Sequence, residues 1–469
     1  MRRKSVRQRF EQLEVIDAGA KGKAVAKAPD GRVIFLSNAV PGDVVDVLTT
    51  KKRSAYYEGM ATHFHSLSNK RTEPVCQHFG VCGGCKWQHM GYGHQLFYKQ
   101  REVENNLRRI GGLELPEINP ILGSKNEYLY RNKMEFSFSD SRWLTQEEIG
   151  SGSPIGDRNA LGFHIPGMWD KILDVKKCHL QQDPSNGLRL ETKRFAIGNG
   201  LDFYNPKRQE GLLRTLMIRT SSTGEIMLLI QFFREDEKKR EALLGHLKEK
   251  FPEITSLLYV INPKANDTIY DQEVICFSGR DHIFEEMEGL RFKINAKSFY
   301  QTNSQQAHQL YRIVRDFAGL DGEQLVYDLY TGTGTIAQFV AGQAKKVVGI
   351  ESVPEAIADA KANLQLNGIS NVEFHVGDMK NVFTADFIQE HGRAEVVITD
   401  PPRDGMHKAV VEQLLHLAPE KIVYVSCNSA TQARDLALIK ERYRVARVQP
   451  VDMFPQTHHV ENVVLLEKA

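Results

Sequence analysis

Long hydrophobic runs, internal repeats and low-complexity segments are all missing from this sequence. Hydrophobic residues make up 41% of its 469 positions and charged residues 26%, as in ordinary soluble globular proteins. No apolar run approaches the roughly 18 residues that a membrane-spanning helix needs. The basic N-terminus, MRRKSVRQRF, is not followed by an apolar core, which predicts no signal peptide. We therefore expect a cytoplasmic protein of about two to four domains that makes no contact with a membrane.

Net charge is also low, but it is unevenly distributed. The whole chain carries a formal net charge of only +2. Residues 1–110 contain 19 Lys and Arg against 10 Asp and Glu, a local net charge of +9. A basic first quarter on a nearly neutral chain is typical of a surface that contacts a polyanion, although a solvated basic face gives the same count.

Cysteine is scarce, with six residues in the chain, and four of the six form a pattern. CQHFGVCGGC places three close together and DVKKCHL adds a distant fourth; the four are Cys76, Cys82, Cys85 and Cys178. In a reducing cytosol, clustered cysteines more often bind metal than form disulfides. Four thiolates suit zinc and an iron–sulfur cluster equally, and His78 and His89 are alternative ligands. Cys276, in EVICFSG, is predicted to be a buried strand residue.

The organisation of the chain changes along its length. Residues 10–66 read as short strands separated by turns, which predicts a small β-barrel. Residues 91–111 are predicted to be helical, and residues 125–290 are mixed and rich in strands. From residue 296, apolar strands alternate with helical patterns, which predicts a mostly parallel sheet with helices on both faces. The fold class is therefore α/β.

A glycine turn follows the first strand of that α/β region. In VYDLYTGTGTIA, Gly332 and Gly334 allow a tight turn and a close approach of a ligand to the backbone. Glu351 ends the next strand, where it is placed to bind ribose hydroxyls. This pattern also satisfies the dinucleotide fingerprint, because Ala337 follows at the required spacing.

Three further features favour S-adenosylmethionine as the ligand of this turn. Asp328 precedes the turn within its strand, and Asp378 ends the third strand of the region. TDPPRDG, with Asp400, ends the fourth and resembles the substrate-facing loop of class I methyltransferases. All of these features lie at carboxyl ends of predicted strands, where open α/β sheets bind their ligands.

A cysteine ends the following strand, in KIVYVSCNSATQARD. A lone cysteine is more often a small buried hydrophobe than a catalytic group. Cys427, however, is predicted on the same rim of the sheet as the cofactor turn. A thiol on that rim can serve as a nucleophile.

Taken together, the motifs resemble those of the RNA uracil-5-methyltransferases. SFYQTN, DLYTGTGT, DPPRDG, VSCNSATQARD and HHVENVVLLE occur in that family's order, and the resemblance covers essentially the whole chain. It implies an oligonucleotide-binding-like TRAM barrel at residues 1–68 and a central mixed α+β domain with iron–sulfur cysteines at 69–295. A class I, Rossmann-like methyltransferase domain would follow at residues 296–469.

The resemblance also implies the catalytic and cofactor residues. Cys427 would be the nucleophile and Glu461 the base; taken alone, Glu461 reads as a surface carboxylate before a C-terminal strand. Positions that match the family's S-adenosylmethionine contacts are Gln301, Tyr330, Glu351 and Asp400, with Gly332, Gly334 and Asp378 added from the turn pattern. RNA cytosine-5-methyltransferases carry a cysteine directly after the same Asp-Pro-Pro motif. Arg403 occupies that place here, which favours uracil.

The expected partner is RNA, most plausibly 23S ribosomal RNA, with transfer RNA or several RNA sites as the alternative. The resemblance implies a [4Fe–4S] cluster on the four cysteines and a monomeric enzyme. Candidate RNA contacts are Lys21, Lys23, Lys51, Lys52, Arg53, Tyr56, Tyr57, Arg131 and Phe299. Two rival readings are an RNA-binding protein with an inert methyltransferase domain and an iron–sulfur oxidoreductase. The intact Cys427, Glu461 and Asp400 argue against an inert domain, and an oxidoreductase would leave DPPR and SCNSATQARD unexplained.

Overall fold

The computed structural model describes residues 7–152 and 156–469, which contain three large β-sheets and one two-stranded hairpin. The first is a closed five-stranded barrel with the order β1-β2-β3-β5-β4. Its strands are β1 (Arg9–Ala18), β2 (Ala24–Lys27), β3 (Val33–Ser37), β4 (Val44–Lys52) and β5 (Tyr56–Ser66). Alternate side chains such as Ile34, Leu36, Val45 and Val47 are fully buried inside it. The predicted barrel is confirmed.

The cysteine-containing loop leads into helix α1 (Tyr92–Arg109) and then into a second sheet of seven strands. Its elements are β6 (Lys133–Ser139), α2 (Gln146–Gly150), β7 (Ala160–Ile165), β8 (Met168–Asp174), α3 (Ser185–Gly198), β9 (Leu213–Thr220), β10 (Ile226–Phe232), α4 (Glu237–Lys250), β11 (Ile254–Ile261) and β12 (Ile275–Gly279). The strand order is β12-β11-β10-β9-β6-β7-β8. Cys276 lies on β12 as predicted, but its predicted burial is wrong: β12 is an edge strand, and the residue is exposed.

A two-stranded hairpin, β13 (His282–Met287) and β14 (Leu290–Asn295), connects this sheet to the third. The third region contains α5 (Ser304–Ala318), β15 (Leu325–Leu329), α6 (Thr335–Ala341), β16 (Lys346–Glu351), α7 (Pro354–Asn367), β17 (Val372–Val376), α8 (Met379–Val382), α9 (Ala385–His391), β18 (Val396–Thr399), α10 (Lys408–Leu417), β19 (Lys421–Ser426), α11 (Ser429–Ala437), β20 (Tyr443–Val451) and β21 (Glu461–Lys468).

The third sheet has the order β17-β16-β15-β18-β19-β21-β20, and β21 runs antiparallel to both of its neighbours. Its central strands are continuous apolar runs because helices cover both faces. The strand order reverses between β15 and β18, so a crevice is expected at their carboxyl ends. The α/β prediction for this region is confirmed.

Helix α1 packs on the third sheet although it directly follows the cysteine loop. Val103 and Leu107 of α1 share an apolar core with Ala433 and Leu436 of α11. The loop before α1 is therefore anchored to the α/β region. None of the helices in the described ranges is long and apolar enough to cross a membrane.

Candidate active site

Cys427 lies directly after β19, at the carboxyl edge of the third sheet. Val423, Tyr424 and Val425 are fully buried, so the strand is fixed up to its last residue. A Ser426–Asn428 turn then closes through the Ser426 hydroxyl, which accepts from Asn428 N at 3.1 Å. This turn leaves the thiol half-buried at the rim of the sheet.

Glu461 is brought next to Cys427 by the pairing of β19 with β21. Ser426, the last residue of β19, is paired with Asn462, so Cys427 directly follows and Glu461 directly precedes this pair. The carboxyl of Glu461 acts electrostatically on the Cys427 thiol. The side chain of Glu461 is buried, with only 6% of the residue exposed. The surface-carboxylate reading of this residue is therefore wrong, because β21 is an interior strand of the sheet.

The electrostatics of the site are dominated by burial of acidic groups. Burial, and then the neighbouring Asp400, raises the pKa of Glu461 to about 8. Burial and then Asp328 raise the pKa of Asp400 to about 7. Burial, followed by Glu461 and Asp400, raises the pKa of the Cys427 thiol to about 11, while hydrogen bonding and charge from Arg403 oppose that rise. Burial therefore favours the neutral forms of both carboxyls and of the thiol.

The SATQARD segment forms a helix, α11, that holds the loop after Asp400. Asn428 Nδ2 and Thr431 Oγ1 both donate to the carbonyl of Arg403, each at 3.0 Å. Arg434 donates to the carbonyl of Asp404 at 2.7 Å. These contacts fix the Asp-Pro-Pro-Arg loop relative to the cysteine.

Two further side chains of α11 tie the site to its neighbouring strands. Asp435 accepts from Met406 N and from the Tyr424 hydroxyl, both at 2.7 Å. Gln432 donates to the carbonyl of Tyr424 and accepts from Asn462 at 2.8 Å. None of the four α11 residues Thr431, Gln432, Arg434 and Asp435 was predicted to have a role. The signal that was available is their spacing of three and four residues, which places them on one helical face.

The segment before Glu461 is clamped by residues from the N-terminal half. Lys99 of α1 and Asp452 form a fully buried ion pair at 2.6 Å. Gln95 and Gln456 exchange two hydrogen bonds, at 2.9 and 3.0 Å. None of these four residues was predicted, because their partners lie more than 350 positions away along the chain.

The glycine turn lies on the same rim. Gly332 has φ 57°, and a Cβ added there would meet nothing within 4 Å, so the backbone faces open space. Gly334 has φ 72°, and a Cβ there would lie 2.5 Å from the Phe374 ring. Gly332 therefore suits a close ligand approach, whereas Gly334 is required by packing.

Acidic groups surround this turn. Glu351 ends β16 and accepts from Gly332 N at 3.1 Å and from Val353 N at 3.0 Å. Asp328 is buried in β15, where burial raises its pKa to about 7 and Thr331 donates to it. Asp378 is exposed, and it caps α8 and pairs with Lys380 at 3.3 Å.

The remaining predicted cofactor residues, Gln301 and Tyr330, lie on two loops. Tyr330 is half-buried with φ 63°, and burial raises its pKa to about 12. The carbonyl of Gln301 accepts from Asn132 Nδ2 at 2.9 Å, and the carbonyl of Thr302 accepts from Asn132 N at 2.8 Å. Asn132 was not predicted, and it positions the Gln301 loop from the end of the second sheet.

Comparison with known proteins places this geometry in a family. Residues 280–469 match the family model described as tRNA (Uracil-5-)-methyltransferase. An uncharacterized RNA methyltransferase of Bacteroides thetaiotaomicron is 58% identical over 451 residues, covering 96% of this chain and 99% of the relative. One from Chlorobaculum tepidum is 40% identical, covering 98% and 96%. The chain belongs to the RNA uracil-5-methyltransferase family.

A solved structure is similar over nearly the same extent. The Pyrococcus abyssi tRNA (uracil-54, C5)-methyltransferase, in complex with S-adenosyl-L-homocysteine, superimposes with a TM-score of 0.74 and 27% identity. The alignment covers 97% of this chain and 100% of the Pyrococcus protein. The methyltransferase fold is thereby confirmed.

The four clustered cysteines of this uracil-5-methyltransferase family member line one cavity of about 440 Å³. Burial raises the pKa of Cys82 to about 11 and of Cys85 to about 12. Of the alternative ligands, His78 accepts from Lys176 N at 2.9 Å, and His89 does not line the cavity. Thr457 and His459, just before Glu461, line it as well.

Several candidate RNA contacts on the barrel of this methyltransferase already have partners within the protein. Tyr57 is wrong as a stacking residue, because it is 1% exposed inside the barrel and donates to Asp30 at 2.9 Å. Tyr56 packs edge-on against Phe35. Lys23 pairs with Glu58 at 2.7 Å, and Lys51 approaches the same carboxylate at 3.7 Å.

The other basic candidates on the barrel are Lys21, Lys52 and Arg53. Lys21 has φ 62°, Lys52 Nζ lies 5.9 Å from the centre of the Tyr57 ring, and Arg53 is exposed. Near the proposed target site, Phe299 is 66% exposed, and the Arg131 guanidinium lies 5.6 Å from the Phe454 ring centre.

Proposed function

We propose that this protein transfers a methyl group from S-adenosylmethionine to carbon 5 of a uridine in RNA, with 23S ribosomal RNA as the substrate, through a covalent bond to Cys427. The observation that carries the proposal is the juxtaposition of Cys427 and Glu461 across the β19–β21 ladder. Both side chains are electrostatic neighbours of Asp400, at the rim that also carries the glycine turn. One thiol and one carboxylate beside a donor site are the groups that this chemistry requires.

In the proposed mechanism Cys427 acts first. Its thiolate adds to carbon 6 of a uracil that has been rotated out of its stack, and the electron pair passes to carbon 5. Carbon 5 forms a bond to the methyl carbon, and the sulfonium sulfur leaves as a neutral thioether. Glu461 then removes the proton from carbon 5, the carbon 5–carbon 6 double bond forms again, and the thiolate is expelled.

The raised pKa values fit this order of events. In the ligand-free site the acidic groups favour their protonated forms because burial penalises their charge. A bound sulfonium cation adds a positive charge, which favours ionisation of nearby acids. The guanidinium of Arg403 favours the thiolate of Cys427 in the same way. Binding of the donor would thereby prepare both the nucleophile and the base.

We assign the donor site to Gln301, Tyr330, Gly332, Gly334, Glu351, Asp378 and Asp400. The open space over Gly332 supports this assignment, as does Glu351, whose carboxylate accepts from Gly332 N. The Pyrococcus structure was determined with S-adenosyl-L-homocysteine, the product of methyl donation. Among these residues Asp378 is the weakest candidate, since its carboxylate already pairs with Lys380.

We also propose that Cys76, Cys82, Cys85 and Cys178 hold a [4Fe–4S] cluster. Their shared cavity supports it. Methyl transfer needs no electrons, so the cluster would support the loop that carries it. The purified protein should be brown, and Cys178→Ser should lose iron and sulfide together. Measuring iron and sulfide in both proteins tests this assignment.

Transfer RNA is the second candidate substrate, and a specific observation favours it. The Pyrococcus protein, whose whole length aligns here, is named for a transfer-RNA uracil. A structural match over almost the whole chain therefore also fits transfer RNA as the substrate. The test is to supply unmodified 23S ribosomal RNA and unmodified transfer RNA with S-adenosylmethionine, then to digest each and measure 5-methyluridine by mass spectrometry. Absence of 5-methyluridine from both RNAs would contradict the proposed function.

A further inference from the structure

A cluster of two histidines and one glutamate lies at β17, an edge strand of the third sheet. The ligand atoms of Glu373, His375 and His391 all lie within 4.8 Å of one another. It is the only such group of three potential metal ligands in residues 7–152 and 156–469. We propose that these three side chains bind a divalent transition-metal ion, with zinc as the expected ion.

The backbone places these ligands with little freedom. Glu373 and His375 are two residues apart on β17, so both point to the same face of this edge strand. His391 ends α9, and the Tyr327 hydroxyl donates to the carbonyl of Gly392 directly after it. The site would join the last helical turn of α9 to the edge of the sheet.

One nitrogen of the cluster lacks the hydrogen bond that its burial requires. His375 Nε2 is shielded from solvent, yet it makes no hydrogen bond of good geometry. Buried polar atoms without a partner are uncommon, and an absent ion is one explanation for them. Glu373 Oε1 lies 3.1 Å from His391 Nδ1 and 3.6 Å from His375 Nε2. All three atoms can therefore converge on one ion after small side-chain movements.

The chemistry of the donor set selects the class of ion. Two imidazoles and one carboxylate suit zinc and its neighbours in the first transition series, and a water molecule would complete four-coordination. The Phe387 ring packs 5.2 Å from the His375 ring and 4.3 Å from the His391 ring, and so walls one side of the site.

Charged neighbours act in opposite directions. Lys346 Nζ lies 2.8 Å from Glu373 Oε1 and competes with a cation for that oxygen. Its side chain is 40% exposed, so it can move into solvent when an ion binds. Glu390 lies 3.9 Å from His391 Nε2 and adds negative charge. Removing the lysine charge should therefore tighten metal binding.

Cobalt titration of the whole protein tests the proposal, because cobalt reports its ligands by colour. We expect weak visible bands that saturate at one equivalent of Co²⁺ and that Zn²⁺ abolishes. His375→Ala/His391→Ala should weaken binding by more than about a hundredfold. His416→Ala, an exposed histidine of α10, is the matched control and should bind as the wild type does.

Lys346→Gln gives a second readout that does not depend on losing ligands. It should tighten cobalt binding by about three- to tenfold, since it removes one positive charge next to the carboxylate. Unchanged binding in His375→Ala/His391→Ala would overturn the proposal. A spectrum with only intense near-ultraviolet charge-transfer bands would also overturn the proposal, since such bands would place the ion on cysteine sulfur.

Discussion

At the scale of single residues, the site combines one thiol with carboxyl groups that are costly to ionise. Glu461, Asp400 and Asp328 all have pKa values raised to between about 7 and about 8, with burial as the largest cause. A surface glutamate would ionise readily but would be a weak base. Burial makes Glu461 a stronger base at the expense of folding stability, as is common at active sites.

The pH dependence of stability should reveal this cost. A carboxyl whose pKa is higher in the folded than in the unfolded state binds a proton that the unfolded chain has released. Stability is therefore lost as pH rises from the unfolded value, about 4.3, through the folded value of about 8. Between about pH 5 and about pH 8, we expect the wild type to lose on the order of 2 kcal/mol or more.

Urea unfolding of Glu461→Gln measures the contribution of this group. The variant should lose less stability over the same pH range, because glutamine does not ionise. Glu355→Gln, an exposed residue in the first turn of α7, is the control and should follow the wild-type curve. Parallel curves of stability against pH for the wild type and Glu461→Gln would show that burial does not raise the pKa of this carboxyl.

At the scale of secondary-structure elements, α11 determines how the Asp-Pro-Pro-Arg loop faces Cys427. Three of its side chains, together with that of its N-cap Asn428, bind the backbone of residues 403–406 through four hydrogen bonds. The loop has no regular structure of its own, so its position depends on these contacts. Small errors in the position of catalytic groups are costly in rate.

Thr431→Val should therefore reduce catalysis more than stability. It removes the hydroxyl that donates to Arg403 O while keeping the shape of the side chain. We expect a stability loss of about 1 kcal/mol and a decrease in kcat of about tenfold. Thr384→Val, which removes the N-cap of α9, is a matched control and should lose similar stability with kcat unchanged. Equal kcat values for the two variants would contradict a positioning role for α11.

At the scale of the whole molecule, contacts between residues far apart in sequence hold the segment before Glu461. Lys99 and Asp452 are 353 positions apart and form an ion pair with both side chains fully buried. Lys99→Met would leave a buried carboxylate without its partner, at a cost of about 3–5 kcal/mol. Lys99→Met/Asp452→Asn should recover part of that loss, as measured by thermal unfolding. No recovery in the double variant would show that lost packing, not unpaired charge, causes the effect.

How much the sequence predicted follows from the range of each interaction. Cys427, Glu461 and the glycine turn were predictable because motifs within a few residues of strand ends carry them. The Lys99–Asp452 pair, Asn132 and the docking of α1 were not, since only the tertiary fold brings those residues together. Tyr57 and Cys276 were misassigned for a related reason: strand periodicity does not tell a barrel interior or a sheet edge from their opposites.

In the proposed reaction, Cys427 forms a covalent bond to uracil and Glu461 resolves it. RNA that contains 5-fluorouridine, mixed with the protein and S-adenosylmethionine and separated on a denaturing gel, tests it directly, because fluorine cannot leave carbon 5 as a proton does. We predict a protein–RNA adduct with the wild type and none with Cys427→Ala. With ordinary RNA, Glu461→Gln should accumulate the same adduct, whereas the wild type should not. An adduct that survives in Cys427→Ala, or none with any RNA while donor binding is intact, would contradict the account.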